Sequence, residues 1–171
     1  MSEIVERYLI RVGGEWAYIY VDEANGVFTS YSSFGNYAYQ WRSIGGRTLK
    51  AFLSGLDFDY FMGKTRRDYR RFDYDATVEG IKEYIVDGRR QGSLTKDEAR
   101  AAWRDLEDIS DENSSDRFFD AFCWSKPLMH VYGSDICDIA RERPDPDSRG
   151  FWQKIWPEFL KKIAVTAEAA A

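Results

Sequence analysis

Side chains that bind metals or act in catalysis are scarce in this sequence. Its 171 residues include two cysteines, Cys123 and Cys137, and one histidine, His130. Neither cysteine lies in a CxxC pair or beside a histidine at ligand spacing, and no HExxH or DxDxDG motif occurs. A single histidine in the apolar run LMHVY is more typical of a core or cleft residue than of a general base. The sequence therefore predicts no metal, no cofactor and no enzymatic activity, and an enzyme centred on His130 is the least favoured hypothesis.

Long apolar runs and a targeting segment are also absent from the sequence. No stretch approaches the roughly 18 apolar residues that a membrane span needs. The start, MSEIVER, is acidic and polar, which is unlike a signal peptide. We therefore expect a cytoplasmic protein that has no membrane partner and keeps its cysteines reduced.

Aromatic residues, by contrast, are abundant, at 16% of the chain, whereas the 44% hydrophobic and 31% charged fractions are ordinary for a globular protein. A chain of this length buries roughly 70% of its unfolded surface, so its core needs neither a disulfide nor a metal. We expect a single domain over residues 1–171. It would consist of a β-meander at 1–43, a mainly helical part at 44–165 and a frayed tail at 166–171.

The meander is predicted from alternating, aromatic-rich runs. They predict antiparallel strands at 16–21, 27–33 and 37–42, and the run YLIRV at 8–12 adds a fourth. Asn25-Gly26, between the first two of these runs, is typical of a two-residue hairpin turn in which both residues have positive φ.

Each aromatic strand is expected to place its rings on one face, because side chains alternate along a strand. Trp16, Tyr18 and Tyr20 share one face of their strand. Tyr37, Tyr39 and Trp41 share one face of theirs, and we expect them to anchor a partner if that face is not covered.

Helical patterns follow the meander. Apolar spacing predicts helices near 48–56, 76–90, 96–108, 115–126 and 151–165, with a further helical turn at 57–62 and an exposed loop at 142–150. Asp75 and Ser115 are expected N-caps, and Pro157 predicts a kink or a helix start. Since the strands precede the helices, the predicted fold class is α+β, with about four strands packed with about five C-terminal helices.

Negative charge is concentrated in the second half of the chain. The net charge of −5 arises entirely after residue 92, and the segment 105–116 holds six carboxylates and no basic residue. An acidic row can imitate the phosphates of DNA toward a basic groove and steer association with it. A solvated helix face is the simpler interpretation. The predicted partner-binding carboxylates are Glu98, Asp105, Glu107, Asp108, Asp111 and Glu112.

A basic segment supplies the alternative hypothesis, direct binding of nucleic acid. Its cations could neutralise phosphates, while the flanking Tyr60, Phe61, Tyr69 and Phe72 could stack on bases. The acidic total and five nearby aspartates argue against general affinity for a polyanion. The residues concerned are Lys64, Arg66, Arg67, Arg70 and Arg71.

Several stretches together suggest a family. VDEANGVFTSYSSFGNYAYQWRSIGGRTLKAFL, DFDYFMGK, FDYDATVEGIKEYIVDGRRQGSLTKDEARAAW and HVYGSD resemble small proteins encoded by bacteriophages and prophages. The resemblance covers most of residues 8–135 and contains no catalytic motif, so it assigns no functional residue. It implies an accessory protein in the bacterial host cytoplasm. It further implies an anti-CRISPR or other anti-defence inhibitor, which binds a bacterial nucleic-acid-handling complex such as a CRISPR effector and blocks target-DNA binding.

Overall fold

The fold class is α+β, as the sequence predicts. The computed structural model describes residues 4–110, 114–133 and 139–169. Within these ranges no helix is both long enough and apolar enough to cross a bilayer. In chain order the elements are β1 Val5–Val12, β2 Glu15–Asp22, β3 Val27–Ser32, β4 Gly35–Gln40, α1 Leu49–Leu53, α2 Phe58–Thr65, β5 Arg70–Phe72, α3 Tyr74–Gln91, α4 Lys96–Glu107, α5 Ser115–Trp124, α6 Lys126–Tyr132, β6 Glu142–Pro144, α7 Pro146–Gly150, a π-helical turn Phe151–Ile155 and α8 Trp156–Ala169.

The chain separates into two compact units. Residues 1–69 and 144–171 form the first, which we call the sheet unit, and residues 70–143 form the second, the helical unit. In the sheet unit, β1 to β4 make an antiparallel meander in sequence order. In the helical unit, α3 to α6 enclose a core of their own, which includes Ile81, Leu106, Phe118 and Phe122.

One face of the meander carries the core of the sheet unit. Ile19, Phe28 and Tyr37 are fully buried on this inner face and cluster with Phe61 of α2 and Phe159 of α8. The packed rings meet mainly edge to face, which suits their quadrupoles. The opposite, outer face of the sheet therefore carries the other half of each alternating strand.

The turn between β2 and β3 differs from the predicted two-residue hairpin. Asp22 pairs with Val27, so four residues form the loop, and only Gly26 among them has positive φ, at 66°. Asp22 instead accepts hydrogen bonds from the backbone and side-chain nitrogens of Asn25, at 3.1 and 2.8 Å. This local bonding fixes Asn25 in an ordinary conformation, so Asn-Gly does not form the predicted turn here.

Most helix starts follow from capping side chains. Thr48, Asp57 and Thr95 cap α1, α2 and α4, respectively. The expected caps Asp75 and Ser115 are wrong, because Asp73 and Ser114 accept the bonds from the first turns of α3 and α5. Pro146 also begins a helix, α7, within the predicted loop at 142–150.

The prediction at Pro157 is confirmed. Proline lacks the N–H that would bond one turn back, so a regular helix cannot run through this position unchanged. The chain forms the π-helical turn at 151–155, and α8 begins at Trp156 with Pro157 as its second residue. Phe151, Ile155 and Phe159 all lie in the core of the sheet unit.

Candidate interaction surfaces

The aromatic residues predicted as partner anchors differ in how deeply they are buried. Tyr37 is fully buried and Trp41 is 5% exposed, because the helices of the sheet unit cover the inner face on which they lie. The condition for their acting as partner anchors is therefore not met, and these two assignments are corrected. Tyr39, near the end of β4 on the same face as Tyr37, is half-buried.

The outer face of the sheet presents a set of exposed aromatic side chains. We define it by Arg7, Leu9, Arg11, Trp16, Tyr18, Tyr20, Thr29 and Tyr31. The strand register places Leu9, Tyr18 and Tyr31 in one row across three strands. Tyr31 is 57% exposed and Tyr20 is 38% exposed.

The rings on the outer face support one another. Trp16 lies 5.1 Å from Tyr31 and 5.7 Å from Tyr18 between ring centroids, and both contacts are edge to face. The Trp16–Tyr31 contact joins β2 to β3, and cross-strand contacts of this kind hold their side chains in place before any partner binds. Arg11 lies opposite Trp16 and Arg7 opposite Tyr20, so two exposed cations border the rings on β1. The sequence grouped Trp16, Tyr18 and Tyr20 on one face but did not show that this was the open face, and it gave no signal for Tyr31.

The predicted acidic surface lies on and after α4, in the helical unit, and much of its charge is engaged locally. Glu98, the third residue of α4, forms a capping box with the N-cap Thr95: its carboxylate accepts from the Thr95 backbone N–H at 2.7 Å and lies 3.2 Å from His130 Nε2. The hydrogen bonds from Thr95, reinforced by His130, lower the pKa of Glu98. His130 itself is exposed on α6.

The remaining predicted carboxylates differ in availability. Asp105 accepts from the Ser125 hydroxyl at 2.8 Å, and Glu107 accepts from the Trp103 indole at 2.9 Å. Asp108 is exposed at the end of α4. Asp111 and Glu112 lie outside the described residues. Three of the predicted carboxylates, Glu98, Asp105 and Glu107, are therefore engaged in local hydrogen bonds in addition to carrying charge that a partner can meet.

The basic segment is divided between the two units. Arg66 is committed to the core of the sheet unit, where its Nη2 lies 3.3 Å from the buried Asp145 and its Nη1 lies 3.3 Å from the Tyr37 hydroxyl. Arg67 is exposed beyond α2, whereas Arg70 and Arg71 lie on β5 in the helical unit and take part in interactions of their own. The five cations therefore do not act as one uninterrupted patch of free charge.

Lys64 instead belongs to an open groove of about 570 Å³ in the sheet unit. Its Nζ lies 5.7 Å from the ring centroids of both Tyr39 and Tyr60. The groove joins the end of β4 to one side of α2. Its lining residues are Tyr39, Gln40, Trp41, Arg42, Ser43, Tyr60 and Lys64.

Comparison with known proteins places the chain in a family. Residues 2–164 match the model of a protein family that is described as a phage family. No curated protein and no solved structure matches the chain. The family match confirms the phage-encoded part of the resemblance seen in the sequence.

Proposed function

Since the chain belongs to the phage family Phage_phiTE_072, we propose that it is a non-enzymatic inhibitor that docks on a bacterial nucleic-acid-handling complex. The complex would be a CRISPR effector or another anti-phage defence assembly, and docking would block its binding of target DNA. The observation that carries this proposal is the outer face of the sheet, where rigid aromatic side chains are exposed on a preformed surface.

The outer face has the composition of a protein-binding surface. Tyrosine, tryptophan and arginine dominate the residues whose truncation weakens protein complexes most. Side chains held by neighbours lose little conformational entropy on binding, which favours a rigid sheet over a mobile loop. With Arg7 and Arg11 at its border, the outer face suits a partner surface that places carboxylates around an apolar pocket.

The acidic surface remains a second candidate for docking. Among its described carboxylates Glu107 and Asp108 are exposed, and charge at these positions would steer the protein toward a basic DNA-binding groove. Steering of this kind changes the association rate and its dependence on salt. Loss of an aromatic anchor changes the dissociation rate instead.

The test is a target-DNA binding assay with a panel of purified CRISPR effector complexes, each preincubated with an equimolar amount of this protein. We expect at least one complex to lose DNA binding. The double substitution of Tyr20→Ala and Tyr31→Ala should weaken that inhibition at least tenfold, since an anchor contributes about 2 kcal/mol or more. Trp124→Ala is the matched control, because Trp124 is 87% exposed but lies in the helical unit.

The outcomes separate the two docking surfaces. If Asp108→Lys slows association and the tyrosine substitutions have no effect, the acidic surface is the interface and the outer face is not. If every complex binds its DNA normally at excess protein, the inhibitor proposal fails for CRISPR effectors.

A further inference from the structure

We propose that the groove between the end of β4 and α2 is a binding site for a nucleotide, recognised as an aromatic base joined to a phosphate. This inference is independent of docking through the outer face, since the two surfaces use different side chains of the sheet unit. Neither the family match nor the proposed inhibition assigns a ligand to this groove.

The charge of the groove selects an anion. Its lining includes Arg42 and Lys64 and no carboxylate. Two acidic residues lie close in sequence at the start of α2. Asp57 is occupied at the helix N-terminus, where it accepts from the Tyr60 backbone N–H at 2.8 Å, and Asp59 takes part in an interaction of its own. Two cations beside an open cavity, without a competing carboxylate in its lining, attract a phosphate and provide donors for its oxygens.

The aromatic side chains of the groove select a ligand that has a ring. Tyr60 is 41% exposed and Tyr39 is half-buried, so both offer ring surface next to Lys64. A cluster of tyrosine and tryptophan rings can also bind an external cation. Here Lys64 already lies over both tyrosines, so a second cation would meet its repulsion. A planar base stacked on Tyr60 meets no such penalty, and stacking of this kind favours binding of any base.

Size and hydrogen-bonding groups agree with the same ligand. The volume of about 570 Å³ lies in the roughly 300–1,000 Å³ range of small-molecule sites. Trp41, which is 5% exposed, forms part of the groove wall. Gln40 and Ser43 add polar atoms at the margin. Gln40 donates through Nε2 to the Asn25 carbonyl at 3.1 Å, which holds its amide in position.

A base joined to a phosphate occurs both in a free nucleotide and in each nucleotide of a single-stranded nucleic acid. The probes are therefore adenosine monophosphate, followed by titration calorimetry, and a fluorescein-labelled oligothymidine of about ten residues, followed by anisotropy at low salt. We expect Lys64→Gln and Tyr60→Ala each to weaken binding of the responding probe at least tenfold. Lys64→Gln should also lower the slope of log affinity against log salt by about one for the strand.

The controls keep the inference falsifiable. Arg67→Gln removes an exposed cation three residues from Lys64, and Tyr20→Ala removes an exposed ring from the outer face, so both should leave affinity within about twofold. Circular dichroism and unfolding midpoints establish that each variant is folded. The inference is overturned if neither probe binds, if Arg67→Gln costs as much as Lys64→Gln, if Tyr20→Ala abolishes binding, or if polyglutamate displaces the probe as well as unlabelled nucleotide does.

Discussion

The close approach of Gly26 to Trp41 leads to the sharpest stability prediction. Gly26 has φ of 66°, its carbonyl accepts from the Trp41 backbone N–H at 2.9 Å, and a Cβ added there would lie less than 3.0 Å from the Trp41 carbonyl oxygen. Gly26→Ala therefore has two costs. The left-handed backbone costs an alanine about 1 kcal/mol, and relief of the clash, with loss of the adjacent hydrogen bond, costs roughly 2 kcal/mol more.

Gly45→Ala is the matched control for this prediction. Gly45 has nearly the same φ, 68°, but a Cβ added there meets no atom within 4 Å, so only the backbone cost of about 1 kcal/mol applies. Urea unfolding followed by circular dichroism measures both variants. We expect the midpoint of Gly26→Ala to lie about 1 M below that of Gly45→Ala. Equal midpoints would refute the argument that backbone contact, rather than φ alone, requires glycine at position 26.

Three further outcomes follow from the polar contacts. Arg66→Gln should lower the free energy of unfolding by about 3 kcal/mol in a thermal or urea titration, because the fully buried Asp145 loses the cation beside it. The hydrogen bond from Lys50 lowers the pKa of Glu6 in the folded state. The stability that this pair contributes is therefore complete above the pKa that Glu6 has in the unfolded chain, and it is lost as pH falls through the lower pKa of the folded state. Glu6→Gln should therefore flatten the acid side of a stability profile measured from pH 7 to pH 3. Thr95→Ala should cost about 1 kcal/mol by removing the cap of α4, and Thr95→Ser, which keeps the hydroxyl, should restore most of it in the same urea assay.

Local sequence patterns were sufficient to predict the four strands of the meander and the starts of α1, α2 and α4, whereas the short strands β5 and β6 were not predicted. The alternation of residues 16–21 and 37–42 predicts β2 and β4, and the apolar spacing over 96–108 predicts α4, which spans Lys96–Glu107. These features depend on bonds between residues a few positions apart, so their signal is complete within a short window. The short helices α6 and α7 were missed, because five to seven residues give too little periodicity to identify a helix.

The candidate sites were predicted less well, since their composition depends on distant parts of the chain. Lys64 and Tyr39 were assigned to two competing hypotheses, and the structure brings them into one groove. The sequence assigned Arg66 to a basic patch, but in the structure it pairs with Asp145, which lies 79 positions further along the chain. The sequence did not indicate that several carboxylates on α4 accept hydrogen bonds from neighbouring side chains and backbone.

The sequence by itself determined the α+β class, the order of the meander and the two sets of aromatic residues that alternate along its strands. Tertiary structure alone decided which set is buried. Periodicity separates the two faces of a strand but does not say which face meets the helices. Residues 144–169 settle that choice, because Phe151, Trp156 and Phe159 pack against the face that carries Tyr8, Phe28 and Tyr37. The rings of Trp16, Tyr18, Tyr20 and Tyr31 therefore remain on the outer face of the sheet.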